Sequence, residues 1–226
     1  CGHFSDALQA ACRGGHNTTV RILLKPGANL NARNGHFGGA LLAASHGGHD
    51  ATVRILLEAA RAGIGAPGDL LSIALQTAIL RGHTKVMATL LREGARLDID
   101  AQIQDRGNAL YAASEEGQIA TVHFLLEKGA DVNAEGGHFG NALQVASCKG
   151  HETIVQMLLE RGAVINASWG HHRNSLHAAL IEDHDIIFWM LVDRRIKERS
   201  RKRKAEKALH GDTQRRRLSS PDQGPE

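Results

Sequence analysis

The stretch Gly136-Gly137-His138-Phe139-Gly140-Asn141-Ala142-Leu143-Gln144-Val145-Ala146-Ser147-Cys148-Lys149-Gly150-His151-Glu152-Thr153-Ile154-Val155-Gln156-Met157-Leu158-Leu159-Glu160-Arg161-Gly162-Ala163-Val164-Ile165-Asn166-Ala167 sets the pattern for the whole chain. Asn141 stands where a helix N-cap belongs, its side-chain oxygen able to satisfy N–H groups that no helical turn reaches. The Ala-rich text after it suits a helix packed closely against its neighbours. Gly150-His151 breaks that helix and starts a second, in which Ile154, Val155, Leu158 and Leu159 recur at helical spacing. Gly162 ends the second helix, because glycine alone enters the left-handed conformation at little cost. Ala-Val-Ile-Asn-Ala and a Gly-rich tip then read as an extended arm and a tight turn.

The same text recurs. The leading leucine falls at Leu8, Leu41, Leu75, Leu110, Leu143 and Leu176, at intervals of 33, 34, 35, 33 and 33 residues, a period typical of solenoids. Eight residues on stand His16, His49, His83, Gln118, His151 and His184, all but His184 preceded by Gly. Paired apolar residues follow at Leu23-Leu24, Leu56-Leu57, Leu90-Leu91, Leu125-Leu126, Leu158-Leu159 and Met190-Leu191, and Gly-Ala closes four of the units. Asp6, Asn108, Asn141 and Asn174 are the expected N-caps.

This pattern resembles the ankyrin repeat over residues 2 to about 193. The first-helix motif departs from the family's common Thr-Pro-Leu-His: most units read Asn-Ala-Leu-Gln or similar, and Asn174-Ser175-Leu176-His177 comes nearest. The wording Gly-Gly-His-Phe-Gly-Asn-Ala-Leu-Gln is similar to repeats of large filamentous-fungal ankyrin proteins, in which a nucleotide-binding, NACHT-type signalling domain lies upstream. No phosphate-binding Gly-x-x-x-x-Gly-Lys-Ser/Thr loop occurs in this chain. The opening at Cys1-Gly2-His3-Phe4, already repeat text, reads as the start of a C-terminal fragment.

The resemblance implies an all-α solenoid of about six stacked helix-turn-helix units with hairpin-like arms. The units are expected at about 2–34, 35–67, 68–102, 103–135, 136–168 and 169–193, followed by a basic helical extension over 194–209. A disordered tail is expected over 210–226, where apolar side chains are too few to offset ordering entropy. After Leu57 the Gly-Ala close is missing, so that helix is expected to run on by a turn. Two extra residues between Gly94 and Asn108 belong to an arm tip. Arg194-Arg195 replaces Gly-Ala in the last unit, whose helix should continue and whose charged outer face should stop further stacking. Ala7, Leu8 and Leu23 should leave an apolar face at the other end.

Composition narrows the function. Aromatics number only 8, in keeping with helices held close by small residues. Residues 1–193 hold 15 Lys/Arg against 19 Asp/Glu, whereas residues 194–226 hold 12 against 5. Basicity therefore belongs to the tail. Cys1, Cys12 and Cys148 form no spaced pair, which points to a reducing compartment, cytosol or nucleus. No apolar run reaches the ~18–20 residues that cross a bilayer.

Chemistry finds little support. A His at a fixed slot in five of the six units reads as a helix-junction hydrogen bond, since stacked units set such residues about 10 Å apart, too far to share one ion. His171, His172 and His177 lack a Cys or carboxylate at ligand spacing, so no metal or other cofactor is expected. Cys148 and His151 have no orienting partner for nucleophilic catalysis, and Glu115-Glu116 is a solvated pair. The chain reads as a non-enzyme.

The positions that vary between units are the arm tips and the exposed ends of the first helices, which a stack would align into a ridge and a concave face. First-helix ends offer Arg13, His46, Leu80, Tyr111, Glu115, Cys148 and Ile181. The tips offer His36-Phe37, Gln102 to Arg106, His138-Phe139 and Trp169, His171, His172 and Arg173. Tyr111, Trp169 and Arg173 are the side-chain types that dominate protein interfaces, while Phe37 and Phe139 are expected to pack on the next arm. The expected function is a monomeric, non-catalytic scaffold that binds a partner protein, in the cytoplasm, the nucleus or both.

The tail carries a second signal. Arg201, Lys202, Arg203 and Lys204, then Arg215, Arg216 and Arg217, have the two-cluster spacing of a bipartite nuclear-import signal, implying an import receptor as partner. Ser219 resembles a basophilic kinase site and Ser220-Pro221 a proline-directed one, where phosphate would oppose the adjacent arginines. The alternative is nonspecific nucleic-acid binding by a solvated charge run, with no sequence-specific readout.

Overall fold

The computed structural model describes residues 2–24, 39–61, 70–95, 107–167 and 173–218, with side chains described between 7 and 207. Among them, twelve helices form six units: α1 (Gly2–Arg13) with α2 (Asn17–Leu24), α3 (Ala40–Gly47) with α4 (Asp50–Arg61), α5 (Leu70–Leu80) with α6 (Thr84–Arg92), α7 (Ala109–Glu115) with α8 (Ile119–Glu127), α9 (Ala142–Cys148) with α10 (Glu152–Glu160), and α11 (Ser175–Ile181) with α12 (Asp185–Leu218). The first helices pack in one row, α1 on α3 and so on to α11, and the second helices in another.

Small residues bring the first-helix row together. Ala43, Ala44, Ala74, Ala78, Ala112, Ala113, Ala146 and Ala179 are buried, and a lone methyl keeps neighbouring helices near. The second row is sealed by Val53, Met87, Val122 and Val155, all fully buried, and by Leu56, Leu90, Leu125 and Leu158. In unit six the fully buried leucine is Leu191, while Met190 is half-buried like Met157. The apolar pair there is thus Leu191-Val192, one residue later than the Met190-Leu191 reading, because register is set by His184.

Asn108, Asn141 and Asn174 cap their helices, accepting from the backbone N–H of Tyr111, Gln144 and His177 at 2.8, 2.9 and 3.0 Å. Gln144 returns a bond to the Asn141 N–H, completing a capping box. Asp6 lies inside α1, which starts at Gly2, and so is not at the N-cap position. At the far helix ends, Ala95, Ala130 and Ala163 donate 3.0 Å bonds to Leu90, Leu125 and Leu158, the closure that the left-handed Gly94, Gly129 and Gly162 allow. The arm between α8 and α9 is a tight hairpin, with Gly136 N–H donating to the Gly140 carbonyl at 2.7 Å. Its Asn133 reaches the next arm, accepting from Val164 N–H at 2.8 Å.

Helix α4 runs on to Arg61, as its missing Gly-Ala suggested. Helix α12 also runs on, to Leu218, so the backbone of 210–218 continues the basic extension as helix; residues 219–226 lie outside the described part. In the register set by His184, Arg195 stands where Gly would close the unit, and Arg194 before it, in the place of Arg161, donates to the Leu159 carbonyl at 3.0 Å and so caps α10.

The last unit does not end in a charged outer face. Leu180 is 58% exposed, although Cys12, Ser45, Ile79, Ser114 and Ser147 in the same position of units one to five are all at 0%. Ile181 beside it is 53% exposed. Exposed charge stands beside this face at Glu182 and Asp183 and along α12, but Leu180 and Ile181 themselves remain open. At the other end Ala7 is exposed and Ile22 is 59% exposed, but Leu8 is buried, since the first-helix leucine turns inward between the two rows.

Candidate functional site

The slot that ends each first helix is held by the next unit. The ring Nε2 of His49 lies 2.8 Å from the Arg13 carbonyl, that of His83 3.0 Å from His46, that of His151 3.1 Å from Glu115 and that of His184 3.0 Å from Cys148. Unit four has Gln118 in place of His, and its amide donates to the Leu80 carbonyl at 3.0 Å. These carbonyls end a helix and would otherwise lack partners. The glycine before each His belongs to the same device. Gly15, Gly48, Gly117 and Gly150 have φ of 69–76°, and a Cβ on any of them would come within 2.7 Å of the following unit's imidazole. Glycine is needed both for the turn and for room. Unit six has Asp183 there with φ 55°, the one non-glycine residue in that region among the described residues; no further imidazole follows it.

The result is a row of first-helix ends with pinned backbone and differing side chains. Arg13 is exposed, while His46, Leu80 and Glu115 are half-buried. The next position adds Arg81, Glu116, Lys149 and Glu182, all exposed. Sequence reading missed Arg81, Lys149 and Glu182 and took Glu116 only as a solvated charge, although the same unit-by-unit comparison shows that position to vary as freely. Charge changes sign along the row. Burial lowers the pKa of His46, and Arg81, Arg13 and His83 lower it further, so this imidazole is held toward its neutral form between the two arginines, Arg13 and Arg81, that carry the positive charge. Burial raises the Cys148 thiol pKa, Glu182 raises it further, Lys149 opposes this and Glu115 adds to it. Glu115, Glu116, Lys149 and His151 line an open depression between units four and five.

Tyr111 has to be withdrawn from this surface. It is only 2% exposed; its hydroxyl accepts from the Phe139 N–H at 3.2 Å, and its ring lies where a Cβ on Gly137 would have to go. It builds the arm tip rather than touching a partner, and burial raises its pKa. Phe139 lies beneath Lys149 of its own unit, whose ammonium is 5.5 Å from the ring centre. Arg173 is exposed at the base of the last arm. His36, Phe37, Gln102 to Arg106, Trp169, His171 and His172 lie outside the described residues.

The arrangement is poor for catalysis. Cys148 is buried with a raised pKa and His151 faces the Glu115 carbonyl, so neither is set up as a nucleophile or its base. Burial pushes the Cys12 thiol up to about 12. Among the described residues no group of three or more His, Cys, Asp or Glu could hold a metal ion, and no helix is long and apolar enough to cross a membrane.

Family models describing ankyrin repeats match residues 5–35, 40–136 and 141–169. No curated protein sequence matches the chain. Among solved structures, the human ASB11 ankyrin repeat domain is similar, at 28% identity and a TM-score of 0.66, over 83% of this chain and 81% of that one. Repeated His or Gln contacts, glycines kept small by the next unit and six units in register are thus joined by two family matches and a structural likeness: the chain belongs to the ankyrin-repeat family, a general protein–protein interaction module.

Proposed function

We propose that this chain is a non-catalytic scaffold that binds a partner protein along its row of first-helix ends and the adjoining arms. The observation that carries this reading is the division of labour in the row: one contact repeated at every unit boundary holds the main chain, while the side chains change from unit to unit. Such a surface is pre-formed, so little ordering entropy is lost on binding. Its sign change favours a partner segment that lays acidic groups over Arg13 and Arg81, passes the neutral His46, and lays basic groups over Glu115, Glu116 and Glu182. Arg173, with Trp169, His171 and His172, extends the surface onto the last arm. The chain acts as a monomer in the cytoplasm, the nucleus or both; an alternative is that it serves as the recognition arm of a larger NACHT-type signalling protein.

Partner capture by the whole chain tests this. Arg13→Glu with Arg81→Glu, and separately Trp169→Ala with Arg173→Ala, should abolish capture while leaving helical content unchanged. Capture that survives both pairs sinks the reading.

A second reading rests on the exposure of Arg201, Lys202, Arg203, Lys204 and Lys207 along α12. They would bind nucleic acid without sequence preference, or an import receptor together with Arg215, Arg216 and Arg217, under control of phosphate on Ser219 or Ser220. The linker between the two clusters is helical, so docking as an extended import signal requires that stretch to unwind. Truncation after Val192 should abolish nucleic-acid binding that falls steeply with salt; binding retained by the truncated chain would contradict this reading.

A further inference from the structure

The open end of unit six has the character of an interface. It is as apolar as the Ile79-Leu80 face buried between units three and four, and more apolar than the corresponding faces of units four and five. Leu180 replaces the Ser114 and Ser147 of units four and five, and Ile181 replaces Cys148, which is only 6% exposed. Val192 is half-buried where Leu159 is 4% exposed. A cap would show the opposite trend, polar groups where inner units are apolar.

The chain itself places no seventh unit there, because residues 194–218 continue as one helix. That helix supplies the second half of the surface. Val192, Ile196, Arg199 and Arg203 follow one another at helical spacing on one side of α12, and Ile196 is 59% exposed. The strip therefore runs from apolar at Leu180, Ile181 and Val192, through Ile196, to basic at Arg199 and Arg203, both exposed. Glu206 is the next residue on that side, one turn beyond Arg203; the other acidic groups nearby are paired. Asp193 pairs with Lys197 at 2.5 Å and Glu198 with Arg194 at 3.2 Å.

We propose that this corner between α11 and α12 is a second docking surface, and that its occupant is an amphipathic helix of a partner protein with an apolar face and an acidic end. The helix lies where the first helix of a further unit would stack. Its apolar side covers Leu180, Ile181 and Val192, and its acidic end runs beside Arg199 and Arg203. Apolar burial supplies affinity and the charges set direction. This surface lies at the end of the stack rather than along the first-helix row, with which it shares Ile181.

The test uses the full chain and two synthetic helices with the same leucine face, one flanked by glutamates and the other by lysines, followed by fluorescence anisotropy. The glutamate peptide should bind at least about tenfold more tightly than the lysine peptide. Leu180→Ser installs the residue already present in units four and five, so the fold survives; it should weaken glutamate-peptide binding by about tenfold or more. Arg199→Glu with Arg203→Glu should reverse the preference. Equal binding of the glutamate peptide to wild type and Leu180→Ser would overturn the proposal. So would absence of binding together with self-association that Leu180→Ser removes, which would make a second copy the occupant.

Discussion

His151 of unit five and Glu115 of unit four meet through an imidazole Nε2 that lies 3.1 Å from a backbone carbonyl, across 36 residues of sequence. The contact fixes the tautomer, because a carbonyl can only accept. It also separates the two parts of Glu115: its main chain belongs to the frame, and its side chain to the surface.

Replacing His151 by Ala should leave that carbonyl without its donor and open space beside Gly117, a loss of about 1–3 kcal/mol. His151→Gln should recover most of it, because Gln118 already makes the same contact in unit four. Urea unfolding of the two variants measures this. Equal destabilisation by Ala and Gln would show that the hydrogen bond contributes nothing.

Asp183 offers the converse. Its φ of 55° carries a strain that glycine would relieve, so Asp183→Gly should stabilise the chain by about 1 kcal/mol. Gly150→Ala should destabilise it, since the new methyl would come within 2.7 Å of His184. A thermal melt that moves the same way for both variants would contradict the account.

Burial of Cys12 gives a pH dependence. Its thiol is pushed from 9.0 up to about 12 in the fold. The unfolded chain loses this proton first, so the contribution is intact below about pH 9 and declines toward about pH 12. The stability advantage of wild type over Cys12→Ala should therefore shrink as pH rises above about 9. An advantage that stays constant would contradict the burial argument.

Leu159 is 4% exposed and Trp189 is 65% exposed, although both lie on second helices. Leu159→Ala should cost about 2–5 kcal/mol through cavity formation. Trp189→Ala should change stability by less than about 0.5 kcal/mol. Denaturant midpoints decide between this pattern and one in which the aromatic residue anchors the end of the stack.

Much of this could be read from the chain by superposing its units. The leucine interval, Asn108, Asn141, Asn174 and the Gly-His junction all reflect local backbone needs, and local needs leave a periodic trace. Tyr111 was misread because burial of a first-helix end depends on the arm of the following unit, which sits 28 residues away at Phe139. Leu180 was missed for a related reason. An apolar residue there looks like core text, and only the absence of a following unit makes it surface. Arg81, Lys149 and Glu182 were overlooked because the glycines Gly14 and Gly47 in the same position made it look like turn.

The central claim is that the variable row binds and the repeated contacts only hold it. Site-specific photo-crosslinking measures this directly, with a photoreactive residue placed in turn at Arg13, Arg81, Glu116 and Lys149, and at the exposed second-helix positions His123 and Gln156. The account predicts crosslinks to one and the same partner protein from the four row positions and none from the other two. Crosslinks from His123 and Gln156 that match or exceed those from the row would contradict it.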